Sequence, residues 1–139
     1  MNKKLLLGLV AFAISFSTLN AATKAPFLIT GVMPHYTKDI KIHWDNEQLA
    51  LNKSQKEKLL LVRKDTMAGV ISLKKKIAPL ELEVASKIKE GKTPEELMHL
   101  VDKIAKLKSS ATKTHLSCLY RTQAILSKKQ LETLNKLSK

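Results

Sequence analysis

Four side chains in the second half of the chain could ligate a metal ion, and they form two pairs. Glu96 and His99 are three residues apart, and so are His115 and Cys118. A spacing of three places both members of a pair on one face of a helix. Imidazole with thiolate or carboxylate suits zinc, nickel or copper. Each pair supplies two ligands, and a zinc site needs three or four. These four residues are therefore candidates, and the sequence predicts no firm metal site and no other cofactor.

No arrangement for catalysis is evident in the sequence. It contains no pairing of a nucleophile with a base, no glycine-rich phosphate loop and no converging carboxylates. We therefore expect a binding protein rather than an enzyme. The single cysteine, Cys118, is expected either to be buried as a small hydrophobic residue or to pair across a dimer.

Two copies of a short pattern that starts helices lie far apart in the chain. Each has a leucine, a capping residue, two variable residues and a glutamine. The copies are residues 51–55 and 126–130, with the fixed positions Leu51, Asn52, Gln55, Leu126, Ser127 and Gln130. Asparagine and serine cap the first turn, and a glutamine three residues later can bond back to the amide of the cap. We call these two segments the glutamine boxes.

The rest of the chain after residue 51 has the periodicity of amphipathic helices. Apolar residues at steps of three and four predict a helix over 53–78, with a bent continuation over 80–90 because Pro79 interrupts it. Gly91 is a natural helix stop. Thr93 and Glu96 form a further capping box that starts a helix reaching about Leu126. A final helix is predicted over 128–137.

These elements predict an all-α protein, namely a long antiparallel helical hairpin with a proline-induced bend and short flanking helices. A single hairpin has only a small core, so we expect a homodimer. Residues 51–139 form the helical domain. Residues 22–50, with proline, glycine and most of the aromatic residues after residue 21, predict a flexible arm with a short helix around 38–48.

The first residues have the layout of an export signal. Lys3 and Lys4 precede an apolar run from Leu5 to Phe16, and Ala21 ends a segment of small and polar residues. The apolar run is shorter than the roughly 20 residues that cross a bilayer. We therefore predict a cleavable signal peptide over 1–21 and a protein that works outside the cytoplasm.

The chain is strongly basic, with a formal net charge of +13. From Asp102 to Lys139 nine Lys and Arg face two acidic residues. Such a field favours anionic partners. Export argues against nucleic acid, and aromatic residues for base stacking are scarce in the helical part. Anionic lipid and acidic unfolded polypeptides remain as predicted partners.

The glutamine boxes resemble the LTxxQ motifs of the periplasmic family that includes CpxP and Spy, with the metal-linked relatives ZraP and CnrX. The likeness covers about residues 50 to 137 and is best over 122–131. Asn52 and Ser127 stand where that family usually has threonine, and Lys53 and Lys128 where it often has proline. The resemblance implies a bent, cradle-shaped helical dimer in the periplasm.

Two functions follow from the resemblance together with the charge. The first is an envelope-stress accessory protein and ATP-independent chaperone, which binds unfolded or acidic polypeptides and, as the family implies, the periplasmic domain of a sensor kinase. The alternative is a periplasmic metal-responsive sensor or metal-buffering protein, which would use the candidate ligands Glu96, His99, His115 and Cys118.

Overall fold

The computed structural model describes residues 25–139, so the predicted signal peptide over 1–21 lies outside the described residues. The described part contains four helices and no strand, which confirms the all-α prediction. They are α1 (Tyr36–Ile42), α2 (Lys53–Lys89), α3 (Pro94–Ile125) and α4 (Lys128–Leu137). No helix among residues 25–139 combines the length and the hydropathy of a membrane-spanning segment.

α2 and α3 pack side by side as an antiparallel hairpin. Ion pairs between the two helices show the direction: Asp65 binds Arg121 at 3.0 Å, and Glu81 binds Lys108 at 2.6 Å. The residue number rises along α2 as it falls along α3. The buried hydrophobic residues of the hairpin are Leu59, Val62 and Ile77 on α2 and Leu97, Leu100, Ala111 and Cys118 on α3, where Thr112, His115 and Thr122 are buried as well.

The turn between the two long helices is built from the residues that the sequence singles out. Gly91 adopts a left-handed φ of 77°, a conformation that favours glycine. The amides of Gly91 and Lys92 bond to the carbonyls of Ile88 and Lys87, so the last turn of α2 closes as a Schellman motif. Thr93 and Glu96 then cap the start of α3.

α2 continues as one helix of 37 residues through Pro79. Proline cannot donate the bond to the carbonyl four residues earlier, at Lys75. Pro79 lies on the exposed side of the helix, where water can hydrate the freed carbonyl. The predicted division into two helical segments is therefore absent, and the bend at Pro79 stays a prediction.

The centre of the core lies at the end of the hairpin opposite the turn. Ile40 of α1 and Leu134 of α4 are buried there with Leu49, Leu59 and Leu126. Ile40 and Leu49 belong to the segment that the sequence assigns to a flexible arm, and both are at most 2% exposed. We call this end of the molecule the base, and the opposite end the turn end.

Candidate functional site

Both glutamine boxes cap their helices. In the first, the Asn52 side chain accepts a hydrogen bond from the Gln55 amide at 2.8 Å, and Gln55 Oε1 accepts from the Asn52 amide at 3.1 Å. In the second, Ser127 Oγ accepts from the Gln130 amide at 3.1 Å, and Gln130 Oε1 accepts from the Ser127 amide at 2.9 Å. Each box thus satisfies two backbone donors that a helix start leaves without partners.

The two boxes also bind each other. Gln55 Nε2 donates to Gln130 Oε1 at 2.8 Å, and Gln130 Nε2 donates to Gln55 Oε1 at 3.0 Å. Each side-chain oxygen therefore accepts one bond from its own cap and one from the opposite glutamine. These are the two bonds that an amide oxygen can accept. The pair joins residues 75 positions apart in the chain.

The remaining amide hydrogens of the glutamine pair reach backbone carbonyls beside the opposite box. Gln55 Nε2 donates to the carbonyl of Ile125 at 3.0 Å, two residues before the cap Ser127. Gln130 Nε2 donates to the carbonyls of Leu49 and Ala50 at 3.1 and 3.2 Å. Ala50 lies two residues before the cap Asn52, so the two boxes use the same contact in both directions.

Ala50 carries the backbone strain of this junction. Its φ of 47° lies in the left-handed region, where a residue with a Cβ costs about 1–2 kcal/mol. The Gln130 side chain bonds to the carbonyl of Ala50 and to that of the preceding residue. The strained turn therefore directs the carbonyls of Leu49 and Ala50 at Gln130 Nε2. These hydrogen bonds offset part of the free-energy cost of the strain. Because the donors and acceptors of both glutamines are fully used, the junction fastens α2 to α4 rather than offering a reactive group.

Of the four candidate metal ligands, Glu96 and His99 lie exposed at the start of α3. Glu96 accepts from the Thr93 amide at 2.9 Å and from Lys92 Nζ at 3.0 Å. These two bonds, the backbone one foremost, lower the pKa of the Glu96 carboxyl. Its oxygens are engaged in capping, and His99 has no further ligand beside it among the described residues.

The other two candidates lie inside the packed part of α3. Cys118 is free and 3% exposed, so it packs as a small hydrophobic residue. The ring of His115 lies between the rings of Phe27 and His35, with centroids 4.9 and 5.2 Å away. Burial lowers the pKa of His115, and the charge of His35 adds to this.

The segment before α1 therefore lies against α3. Besides the ring stack, the Leu28 amide donates to Thr112 Oγ1 at 2.9 Å. Among residues 25–139 no group of three or more His, Cys, Asp or Glu side chains is placed to hold a metal ion. The structure brings His115 beside His35, a contact that sequence spacing does not indicate. The metal-binding role of Glu96, His99, His115 and Cys118 stays a prediction.

A second feature of functional interest is an exposed apolar stripe along α2. Leu60, Met67, Ile71 and Leu82 are 56, 44, 43 and 72% exposed. Steps of seven, four and eleven residues place them on one side of the helix, away from the face that packs on α3. We call these four residues the outer stripe. Lys64 and Lys75, each four residues after a member of it, lie exposed on the same side.

The turn end exposes another apolar surface. Ile88 of α2 and Met98 and Val101 of α3 are 59, 62 and 52% exposed. With Val84, Leu97 and neighbouring residues they line an apolar depression of about 490 Å³. We call Ile88, Met98 and Val101 the turn-end cluster. Exposed apolar side chains that cluster in this way are a candidate binding surface.

Comparison of the chain with protein-family models, curated proteins and solved structures yields no match. The relation to the LTxxQ family thus stays a prediction that depends on the two glutamine boxes. Function has to be inferred from the surfaces described above.

Proposed function

We propose that the protein acts outside the cytoplasm as an ATP-independent chaperone that holds unfolded or acidic polypeptides. The observation that carries this proposal is the outer stripe. Its four side chains extend over 22 positions of α2, about 33 Å at the usual helical rise. An extended, lysine-flanked apolar surface suits weak contacts with many different chains, because different apolar side chains of a client can lie at different points along it.

The charge of the protein supports the same proposal. The net charge of the whole chain is +13, and only two of these positive charges, Lys3 and Lys4, lie in the predicted signal peptide. The excess that remains attracts acidic segments and speeds their encounter with the surface. Of the 25 Lys and Arg residues of the chain, five form ion pairs among residues 25–139, at Lys56, Lys87, Lys92, Lys108 and Arg121. Most of the basic side chains among residues 25–139 therefore form no ion pair within the protein and can bind an anionic partner.

The glutamine boxes fit this proposal because they stabilise the fold at a distance from the exposed apolar surfaces. A chaperone that presents apolar surface to solvent gains little stability from that surface. The base supplies stability instead, since the glutamine pair ties α2 to α4 over the most buried part of the core. The resemblance of the boxes to LTxxQ motifs supports a periplasmic location and a stress-related role.

The proposed active form is a homodimer that uses the turn-end cluster. The outer stripe and the turn-end cluster are two separate apolar surfaces. Client capture uses the outer stripe, so the turn-end cluster is available for contact between two copies. The turn-end cluster is compact and flanks a depression, which suits a self-complementary contact between two copies. The outer stripe is long and open, which suits an extended client. Binding to a sensor-kinase domain or to anionic lipid, and the bent cradle shape, remain predictions from the sequence.

The test of client capture measures light scattering of a denatured acidic client without ATP. Wild-type protein without residues 1–21 is expected to suppress aggregation at a near-stoichiometric ratio, and added salt should weaken this effect. The double change Met67→Asp and Ile71→Asp should remove most of the suppression. Leu116→Asp is the matched control, because Leu116 is 48% exposed on α3 and lies outside the outer stripe.

Two outcomes would count against the proposal. One is no suppression by a several-fold excess of folded wild-type protein. The other is an equal loss in the control and in the outer-stripe variant. Sedimentation velocity tests the dimer separately: Met98→Asp with Val101→Asp should give a monomer, whereas the outer-stripe variant should stay dimeric.

A further inference from the structure

A groove lies between α1 and the start of α2. It shares Leu60 with the outer stripe, and the proposed function uses none of its other lining residues. The groove has a volume of about 350 Å³. This lies at the lower end of the range of small-molecule sites, roughly 300–1,000 Å³. Its lining residues are Thr37, Ile40, Lys41, Trp44, Leu59, Leu60 and Arg63. We call it the Trp44 groove.

The lining combines an apolar interior with basic residues. Ile40 and Leu59 are 2 and 3% exposed, so the wall they form belongs to the core, and Leu60 lies beside it on the outer face of α2. Lys41 and Arg63 are the charged lining residues, and within the described part of the chain no carboxylate lines the groove. Neither forms an ion pair with an acidic side chain among residues 25–139.

A third cation near the groove is already neutralised. Lys56 Nζ lies 5.5 Å from the centroid of the Trp44 ring and binds Asp45 at 2.8 Å. Its charge is thus balanced within the protein, unlike those of Lys41 and Arg63. An apolar groove whose two lining cations lack a counter-charge is complementary to a ligand with an apolar body and an anionic end.

We propose that the Trp44 groove binds a medium-chain fatty acid, with its tail against Ile40, Trp44 and Leu59 and its carboxylate at Arg63 and Lys41. The planar guanidinium matches a carboxylate with two parallel hydrogen bonds. A groove near the lower end of the size range of small-molecule sites suits one acyl chain of about ten to twelve carbons rather than the two chains of a phospholipid.

Trp44 provides the readout, because it is the one tryptophan of the chain and lines the groove. The full mature chain is titrated with decanoate below its micellar concentration while the emission of Trp44 is followed. We expect saturable binding of one molecule per chain. Decanol, which has the tail without the charge, should bind about tenfold more weakly because it lacks the charge-assisted bonds. Butyrate has the same charge but a short tail, so it should not change the emission of Trp44.

Chain length tests the apolar part of the site. Affinity should rise by up to about fourfold for each added methylene until the groove is filled, and then level off. The plateau is expected near dodecanoate. A continued rise with length would mean binding to an open surface or to a micelle, and would overturn the proposal.

Neighbouring residues on α2 give a matched pair of variants. Arg63→Gln should weaken decanoate binding by about tenfold and leave decanol binding unchanged. Lys64→Gln removes the same charge from an exposed residue outside the groove and should leave both unchanged. Circular dichroism establishes that both variants are folded, so a loss in Arg63→Gln protein reports on the site.

Three results would overturn the assignment. The first is equal binding of decanol and decanoate, and the second is equal loss in the two variants. The third is tighter binding of a short peptide with a C-terminal leucine, which presents an aliphatic group and a carboxylate of its own. That last result would make the groove a site for chain termini.

Discussion

Residues 25–139 contain three capping boxes, and the two at the base differ in their surroundings from the one at the turn end. Thr93 and Glu96 form an isolated, exposed box whose carboxylate binds only its own cap and Lys92. Gln55 and Gln130 form boxes of the same local geometry, yet each also binds the other. The packing that brings two helix starts together is one cause of the difference, and the third residue after the cap is another. A carboxylate only accepts hydrogen bonds, whereas an amide accepts and donates, so two glutamines can bond to each other in both directions and two glutamates cannot.

The boxes also differ in how deeply the neighbouring apolar side chains are buried. The glutamine pair lies over Leu49, Leu126 and Leu134, which are at most 8% exposed. The Thr93 box lies beside Met98 and Val101, which are more than half exposed. The base therefore fixes the fold and the turn end remains a surface. Four predictions test this contrast, in order of decreasing effect.

Truncation of the core should affect the base far more than the turn end. Leu134→Ala removes a side chain that is 0% exposed and leaves a cavity, which should lower the free energy of unfolding by about 2–5 kcal/mol. Met98→Ala, at a residue 62% exposed, should lower it by less than about 1 kcal/mol. Urea unfolding followed by circular dichroism measures both, and similar losses would contradict the contrast.

Exchange of amide for carboxylate should break the glutamine pair while keeping the cap. Gln55→Glu still accepts from the Asn52 amide, but it no longer donates to Gln130 or to the Ile125 carbonyl. Gln130 Oε1 keeps its bond from the Ser127 amide, whereas the Ile125 carbonyl loses its bond from Gln55. The loss of these two bonds should cost about 2–3 kcal/mol of unfolding free energy. A double-mutant cycle with Gln55→Ala and Gln130→Ala should show a coupling of about 1 kcal/mol or more. Additive losses would mean that the pair contributes nothing beyond two caps.

Removal of the capping oxygen should lower stability by different amounts in the two kinds of box, but the difference should be smaller than for the preceding changes. Thr93→Ala loses one bond to the Glu96 amide and should cost about 1 kcal/mol. Ser127→Ala loses the same kind of bond, and it also loosens Gln130, so its cost should lie near the upper end for caps, about 2 kcal/mol. Thermal unfolding of the two variants at one protein concentration compares them. An equal cost would argue that Gln130 is held without its cap.

The smallest effect concerns the dependence of stability on pH. Hydrogen bonds from the Thr93 backbone and from Lys92 lower the pKa of Glu96 below 4.5. A carboxyl with a lowered pKa in the folded state stabilises the protein above pH 4.5, and this contribution is lost as the pH falls through the lowered pKa. Glu96→Gln should lower stability only slightly at pH 7, because the carboxyl is exposed, and should flatten the fall of stability in acid. The amides of the glutamine boxes do not titrate, so Gln130→Ala should leave the shape of this fall unchanged.

Much of the hairpin could be predicted from the sequence because its signals are local. Gly91 and the Thr93 box mark the turn, and the spacing of apolar residues marks both long helices. The starts of α2 and α4 also follow from the caps Asn52 and Ser127. Two features did not follow. The interruption expected at Pro79 is absent, because an exposed proline removes one backbone bond without ending the helix. The core role of Ile40 and Leu49 was missed, because short segments rich in turn residues carry little periodicity.

The contacts that build the candidate sites could not be predicted from the sequence. The pairing of Gln55 with Gln130, the strained turn at Ala50 and the contact of His35 with His115 all join residues far apart in the chain. Nothing in the local sequence determines these contacts. The Trp44 groove likewise needs α1 to lie against α2.

By itself, the sequence determined where the long helices begin and end, because capping, helix termination and amphipathic spacing depend on residues within a few positions of one another. The tertiary structure alone decided which ends meet. The amide of glutamine can serve its own helix start and a distant one at the same time, and only the packing of α1 and α4 on the hairpin brings the two starts within hydrogen-bonding distance.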